Sequence, residues 1–162
     1  TEIYTLSLHD ALPISTGGET GNRNASLVVK LGIWNDRQQL GYIFDSSTCF
    51  KLPNGGNRSP DLSWINRESW EALSQEDREK FPPIAPDFVL ELKSTSDNIK
   101  DLRDKMQEYQ DAGVKLGWLI DRQGKTVEIY RQNQQPELRQ SPTKIDGETV
   151  LPGFELDLNV VW

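Results

Sequence analysis

The stretch "APDFVLELKS", residues 85–94, places three residue types capable of chemistry, Asp87, Glu91 and Lys93, at alternate positions. Side chains alternate across an extended chain, so these three share one face with Val89, while Phe88, Leu90 and Leu92 share the other. The apolar set must face a core. Burying two carboxylates and an ammonium opposite it would cost several kcal/mol unless they were paired or bound a metal. Either that face is solvated and its charges are ordinary, or it lines a site; for the strand in isolation, the solvated reading is the better default. The neighbouring sequence shifts the balance. In "RSPDLSWI", Asp61 follows a proline at the start of another apolar strand, and if that strand lies beside residues 87–93, Asp61 and Glu91 can meet. Two carboxylates and a backbone carbonyl make an oxygen-rich site suited to Mg²⁺, which keeps several waters and takes one or two carboxylates. Lys93 beside it could lower the pKa of a metal-bound water or stabilise charge on a phosphoryl transition state.

Several elements must position these groups. After the Gly-rich "TGGETGN", read as a turn, "NRNASLVVKLGIWNDRQQ" has helical spacing, with Leu27, Leu31 and Trp34 on one stripe and an Asn-rich start that supplies caps. Short extended segments follow at "GYIFD", "TCFKL" and "DLSWI", with a turn at "PNGGNRSP". One or two short helices in "NRESWEALSQEDREKF" end at the Pro82–Pro83 pair. Beyond the central strand, Ser96 or Asp97 is expected to cap a helix that carries Ile99, Leu102, Met106 and Tyr109 on its apolar side and stops at Gly113. Ser94 and Ser96 are read as capping groups, not catalytic ones. "LGWLID", "RQGK" and "TVEIYR" form a hairpin, and "ETVLPGFELDLNVVW" reads as a strand and a closing segment that packs Phe154, Leu156 and Trp162. The order predicts a mixed α/β domain with a central sheet flanked by helices.

Bulk properties narrow the function classes. A chain of 162 residues suits one domain with a real core. No apolar run approaches the roughly 20 residues of a membrane-spanning helix, so no membrane partner is expected. The single cysteine, Cys49, excludes an internal disulfide framework and a Cys-rich zinc site, and fits a reducing, cytoplasmic setting. A net charge of −7 argues against tight non-specific nucleic-acid binding, although it allows a local basic groove or an acidic metal site. The opening "TEIYTLSLHDALPIS" lacks the basic region of a signal peptide and resembles translated sequencing-adapter sequence, so residues 1–15 are expected to be a non-native leader before a single domain over 16–162. The only histidine, His9, falls in that leader, which disfavours histidine-based chemistry, and without Glu2 and Asp10 the net charge is −5. A native segment before Thr16 is then expected to be missing.

A proline-aspartate followed by a strand reading Glu-x-Lys is the signature of the PD-(D/E)xK nuclease superfamily. More of the chain resembles one member, the Uma-type (Uma-two) family of restriction endonucleases. The matching stretches are "TGGETGNRN", "GYIFDSSTCFKLPNGGNRSPDLSWI", "APDFVLELKSTSDNIKDLRDKMQEYQDAGVKLGWLID", "VEIYR" and "LPGFELDL", collinear and spanning nearly everything from Thr16 onward. The resemblance implies a restriction-endonuclease-like core, with a mixed sheet of four or five strands and helices on both sides. It implies a phosphodiesterase that acts on DNA with Mg²⁺ or Mn²⁺, and it allows a homodimer, since nucleases of this fold often dimerise to cut both strands. Asp61 and Glu91 would then be the metal-binding carboxylates, with Lys93 positioning or activating the attacking water. Asp87 shares their face, but a structural role is as good a reading for it. Lys105 and Tyr109, spaced i, i+4 on one helical face, match a polar residue and a tyrosine that flank the active site in related nucleases; for Tyr109, core packing weighs equally. The superfamily often takes a further acidic residue from the first helix or the segment before it, for which Glu19 is the candidate in this chain. "TGGETGN" lacks the lysine and the spacing of a P-loop.

Two other readings compete with the nuclease. One is a catalytically inactive nuclease-fold module that binds nucleic acid or a protein partner, a reading the acidic balance supports. The other is a scaffold whose strand charges are solvated.

Overall fold

Alternation and burial of apolar side chains generate the layers of this protein, whose computed structural model describes residues 17–162. The expected leader, residues 1–15 with His9, lies outside the described residues. The first element, α1 (Gly18–Gln38), buries Leu27, Leu31 and Trp34 on one stripe. It begins earlier than its sequence suggests: "TGGETGN" is mostly helix, and Gly17 is the N-cap with no side-chain cap, so the Asn-rich segment caps nothing and Asn24 lies inside the helix. Short strands and helices then follow in the expected order: β1 (Gly41–Asp45), the pair β2 (Phe50–Lys51) and β3 (Asn57–Arg58), and β4 (Leu62–Asn66), which runs into α2 (Arg67–Glu71) and α3 (Gln75–Glu79).

The centre of the sheet is β5 (Phe88–Lys93), a crossover through α4 (Ile99–Asp111), and β6 (Leu116–Asp121), which returns parallel to β5. A parallel pair needs such a crossover, and strands covered on both faces read as continuous apolar runs. Antiparallel β7 (Thr126–Arg131) and β8 (Glu137–Gln140) extend one side; β4 and β1 extend the other. The order β1-β4-β5-β6-β7-β8 makes six strands, where four or five were expected. The extra strand is β8, whose polar "ELRQ" carries no apolar alternation because it lies at the sheet edge. Two further strands, β9 (Lys144–Asp146) and β10 (Glu155–Asp157), pair with each other apart from the sheet, and "ETV" is not a strand.

The two faces are separately packed. Leu62, Trp64, Phe88, Leu90, Leu92 and Trp118 form one core with the α1 stripe and the C-terminal Phe154 and Leu156. Val89, Leu119 and Tyr130 form the other with Met106 and Tyr109 of α4. Gly117 on β6 permits that second contact: a Cβ there would stand 2.6 Å from Met106 Cε. The N-cap of α4 is Asn98, whose side chain accepts from the Lys100 N–H, not Ser96 or Asp97. Asp97 instead accepts from the Ser94 N–H and hydroxyl, so the serines shape the loop before the helix. Gly113, at φ 104°, ends the helix as expected. Among the described residues no helix is long and apolar enough to cross a membrane.

Candidate active site

Register brings the carboxylates together. Antiparallel pairing of β4 with β5 sets Leu62 opposite Leu90 and Ser63 opposite Val89, so Asp61, immediately before β4, falls beside Glu91 on the face covered by α4. Asp61 Oδ2 accepts from the Leu92 N–H at 2.7 Å, tying the loop after Pro60 to the neighbouring strand. Glu91 is only 3% exposed, which overturns the solvated reading of this face. Two donors from consecutive turns of α4 converge on its Oε1: Lys105 Nζ at 2.7 Å and the Tyr109 hydroxyl at 2.9 Å. Tyr109 is therefore both a core residue, 1% exposed, and a hydrogen-bond donor to the carboxylate.

Burial controls the protonation of this cluster. It pushes the Glu91 carboxyl up from 4.5 to about 7; Lys105 opposes the rise, and the negative charge of Asp61 adds to it. Burial likewise raises Asp61, against the Leu92 N–H and Lys105. Desolvation and then the charge of Glu91 hold the Tyr109 phenol well above its ordinary value. Two neighbouring carboxylates that each resist ionisation form a site a cation would relieve.

The remaining sequence candidates divide sharply. Lys93 ends β5 half-buried, with Nζ 3.4 Å from the Ser94 carbonyl, and among the described residues it forms no ion pair. The ammonium on Glu91 thus belongs to Lys105, not Lys93. Asp87 lies at the opposite end of β5, where Oδ2 accepts from the Asn66 N–H and the Asn66 side-chain amide, each at 2.8 Å, and Oδ1 pairs with Lys115 at 2.9 Å. That carboxylate, filled by its partners, joins β4 to α2. Glu19 is 84% exposed and pairs with Arg23. Among the described residues, no cluster of three or more His, Cys, Asp or Glu side chains could hold a metal ion, and the register-paired carboxylates are Asp61 and Glu91. Such a pair still fits Mg²⁺, which takes one or two carboxylates and completes its shell with water.

Sequence reasoning missed Asn24. Its amide, on α1, favours the ionised form of Asp61, the smallest of the influences on that carboxyl. The signal was present: position 24 continues the buried stripe of Leu27, Leu31 and Trp34, where a polar residue is out of place. Arg58 was missed as well; it pairs with Glu108 at 2.6 Å and clips the β2–β3 ribbon onto α4. Beside that clip, a cleft of about 330 Å³ opens next to Lys105, lined also by Asp101 and Asp104.

A family model, Uma2, described as "Putative restriction endonuclease", matches residues 10–159. The chain belongs to the Uma2 family. Its fold is similar to the crystal structure of a protein from Anabaena variabilis ATCC 29413, described as a "putative nuclease belonging to DUF820". The TM-score is 0.74 at 20% identity, over 89% of this Uma2 chain and 80% of that one. At that identity the likeness carries the fold alone. One chain of the DrdV–DNA complex, seen by electron cryomicroscopy, matches with a TM-score of 0.45 at 16% identity, over 76% of this chain and 10% of that one, too distant to argue from. No curated protein matches. Membership of a family so described supports a nuclease.

Proposed function

We propose that this Uma2 protein is an endonuclease that hydrolyses DNA phosphodiester bonds with Mg²⁺ or Mn²⁺. Asp61 and Glu91 would hold the cation, and Lys93 would assist the attacking water. The observation that carries the reading is the adjacency of the buried Glu91 and the half-buried Asp61, beside a strand whose last residue, Lys93, forms no ion pair among the described residues. When bound, the ion lowers the pKa of a water and takes up charge developing on the phosphate. Lys105 and the Tyr109 hydroxyl hold the Glu91 carboxylate in one orientation. Lys93, which forms no ion pair among the described residues, would offer its ammonium to a phosphate oxygen or the nucleophile. Because proton and cation compete for the Glu91 carboxylate, affinity for the ion is expected to rise as pH passes through about 7.

The test is plasmid nicking at low salt with Mg²⁺ or Mn²⁺, beside Lys93→Ala. Metal-dependent nicking that falls by at least about 100-fold in the variant supports the nuclease. Equal nicking by both, or none by either with the fold intact, would overturn these residue roles. One observation favours a second reading, an inactive nuclease-fold module that binds nucleic acid or protein: Lys105 already neutralises Glu91 from within the chain. On that reading, Mn²⁺ binding would be absent, and Asp61→Asn would leave partner binding unchanged.

A further inference from the structure

A strand at the edge of a sheet leaves one row of backbone groups without a neighbour in that sheet. β8 is such a strand, last in the six-stranded order. Its ladder with β7 sets Gln140 opposite Thr126, Arg139 opposite Val127, Leu138 opposite Glu128 and Glu137 opposite Ile129. One step beyond, the Ser141 N–H donates to the Lys125 carbonyl at 2.6 Å, so these two form a hydrogen-bonded pair in the same register. Bonded and non-bonded pairs alternate along an antiparallel ladder. Arg139 and Glu137 therefore bond to β7, while Leu138 and Gln140 turn their N–H and C=O groups outward. Among the described residues, no backbone hydrogen bond outside the sheet ladders involves Leu138.

The side chains along this edge complement their own inverse. Leu138 is 61% exposed, more than any other large apolar side chain among the described residues. It continues the row of Glu91, Leu119 and Glu128, so it stands on the α4 side of the sheet. Glu137 and Arg139 flank it on the opposite face and pair with each other at 2.7 Å. Edge strands are commonly guarded by charges that repel a second strand. Here the flanking charges have opposite signs, so Glu-Leu-Arg meets itself reversed with every charge matched. The outward groups of Leu138 and Gln140 allow only registers in which Leu138 faces residue 136, 138 or 140 of a second copy. The first sets Glu137 against Glu137 and the last sets Arg139 against Arg139, and like charges directly opposite are destabilising. The middle register pairs Leu138 with Leu138 as a hydrogen-bonded pair. It also places each Glu137 opposite an Arg139 in a non-bonded pair, where side chains approach closest.

We propose that β8 is a docking edge for a second copy of this chain, paired antiparallel about a two-fold axis at Leu138. The two sheets then join into one, with α4 and the Glu91 cluster of both copies on the same side. The edge is only four residues long, and Pro136 has no N–H with which to extend the ladder, so the association is a small, reversible one. None of this depends on the nuclease reading above.

Disulfide trapping and sedimentation equilibrium of the full chain test the pairing, the former in a Cys49→Ser background. Under mild oxidation, Leu138→Cys is expected to form a linked dimer, because the two-fold sets its Cα atoms about 5.5 Å apart, within reach of a disulfide. Gln140→Cys, whose copies would stand about 14 Å apart along the strands, is expected to stay unlinked under the same conditions. In sedimentation, Arg139→Glu is expected to weaken self-association by at least about tenfold. The double exchange of Glu137→Arg with Arg139→Glu is expected to recover it to within about threefold, with thermal melts checking that each variant is folded. A monomer at every concentration, equal trapping at positions 138 and 140, or association indifferent to Arg139→Glu would overturn the pairing. Should a charge variant not fold, the two cysteine variants, both at exposed positions, decide the matter alone.

Discussion

The two ends of β5 carry the same kind of residue on the same face, and they behave as opposites. At the start, Asp87 is 8% exposed and its carboxylate is filled by two donors of Asn66 and the Lys115 ammonium. Asn66 in turn caps α2, accepting from the Ser69 N–H, so Asp87 fixes the junction of strand and helix. Four residues on, Glu91 is 3% exposed, with a second carboxylate at its side. Its two protein donors fall on a single oxygen. Burial is nearly equal at the two sites. The two carboxylates differ in whether complementary donors fill them and whether a like charge stands beside them.

Substitutions can break this contrast. The largest loss of stability is expected from Lys105→Met, which leaves Glu91 buried without its cation. Urea melts at pH 8 should show about 3–5 kcal/mol of destabilisation. At pH 5.5, where Glu91 is protonated, most of that loss should disappear; a pH-independent loss would mean that Lys105 acts through packing. Next is Asp87→Ala, which strands the Asn66 N–H and should cost about 1–3 kcal/mol, with nicking per folded molecule unchanged. A fall in specific activity would place Asp87 in the chemistry after all.

Comparable in size is the pH effect of Glu91. Its carboxyl titrates at about 7 when folded, against an ordinary 4.5, so the folded chain binds the proton more tightly. The associated stability is complete below about pH 4.5 and is lost as pH rises toward 7. Chemical denaturation of Glu91→Gln across that window should lack this decline, whereas a decline matching the unaltered chain would assign it to another group. The smallest stability change belongs to Lys93→Ala, within about ±0.5 kcal/mol, because Lys93 forms no ion pair among the described residues. In the same variant nicking should fall at least about 100-fold, which separates reactivity from stability at one residue.

Much of the local structure was legible from residue order alone. The alternation of "DFVLELK" assigned β5 and both its faces, and the β6–β7 hairpin and the Gly113 stop follow from apolar period and turn chemistry. Capping was read less well: several Ser, Asp and Asn residues stand in a row before α4, and any of them can accept from a helical N–H, so composition does not choose Asn98. Polar β8 was invisible because an edge strand needs only backbone pairing.

The sequence by itself determined that Asp87, Glu91 and Lys93 share a face, because any extended backbone alternates its side chains with a period of two. Only the tertiary structure decided how each of them is partnered. Register set Asp61 beside Glu91, and α4 supplied Lys105 in place of Lys93 as the counter-charge. Those pairings join residues far apart in the chain, and their energies depend on distance and burial, which arise when sheet and helices pack.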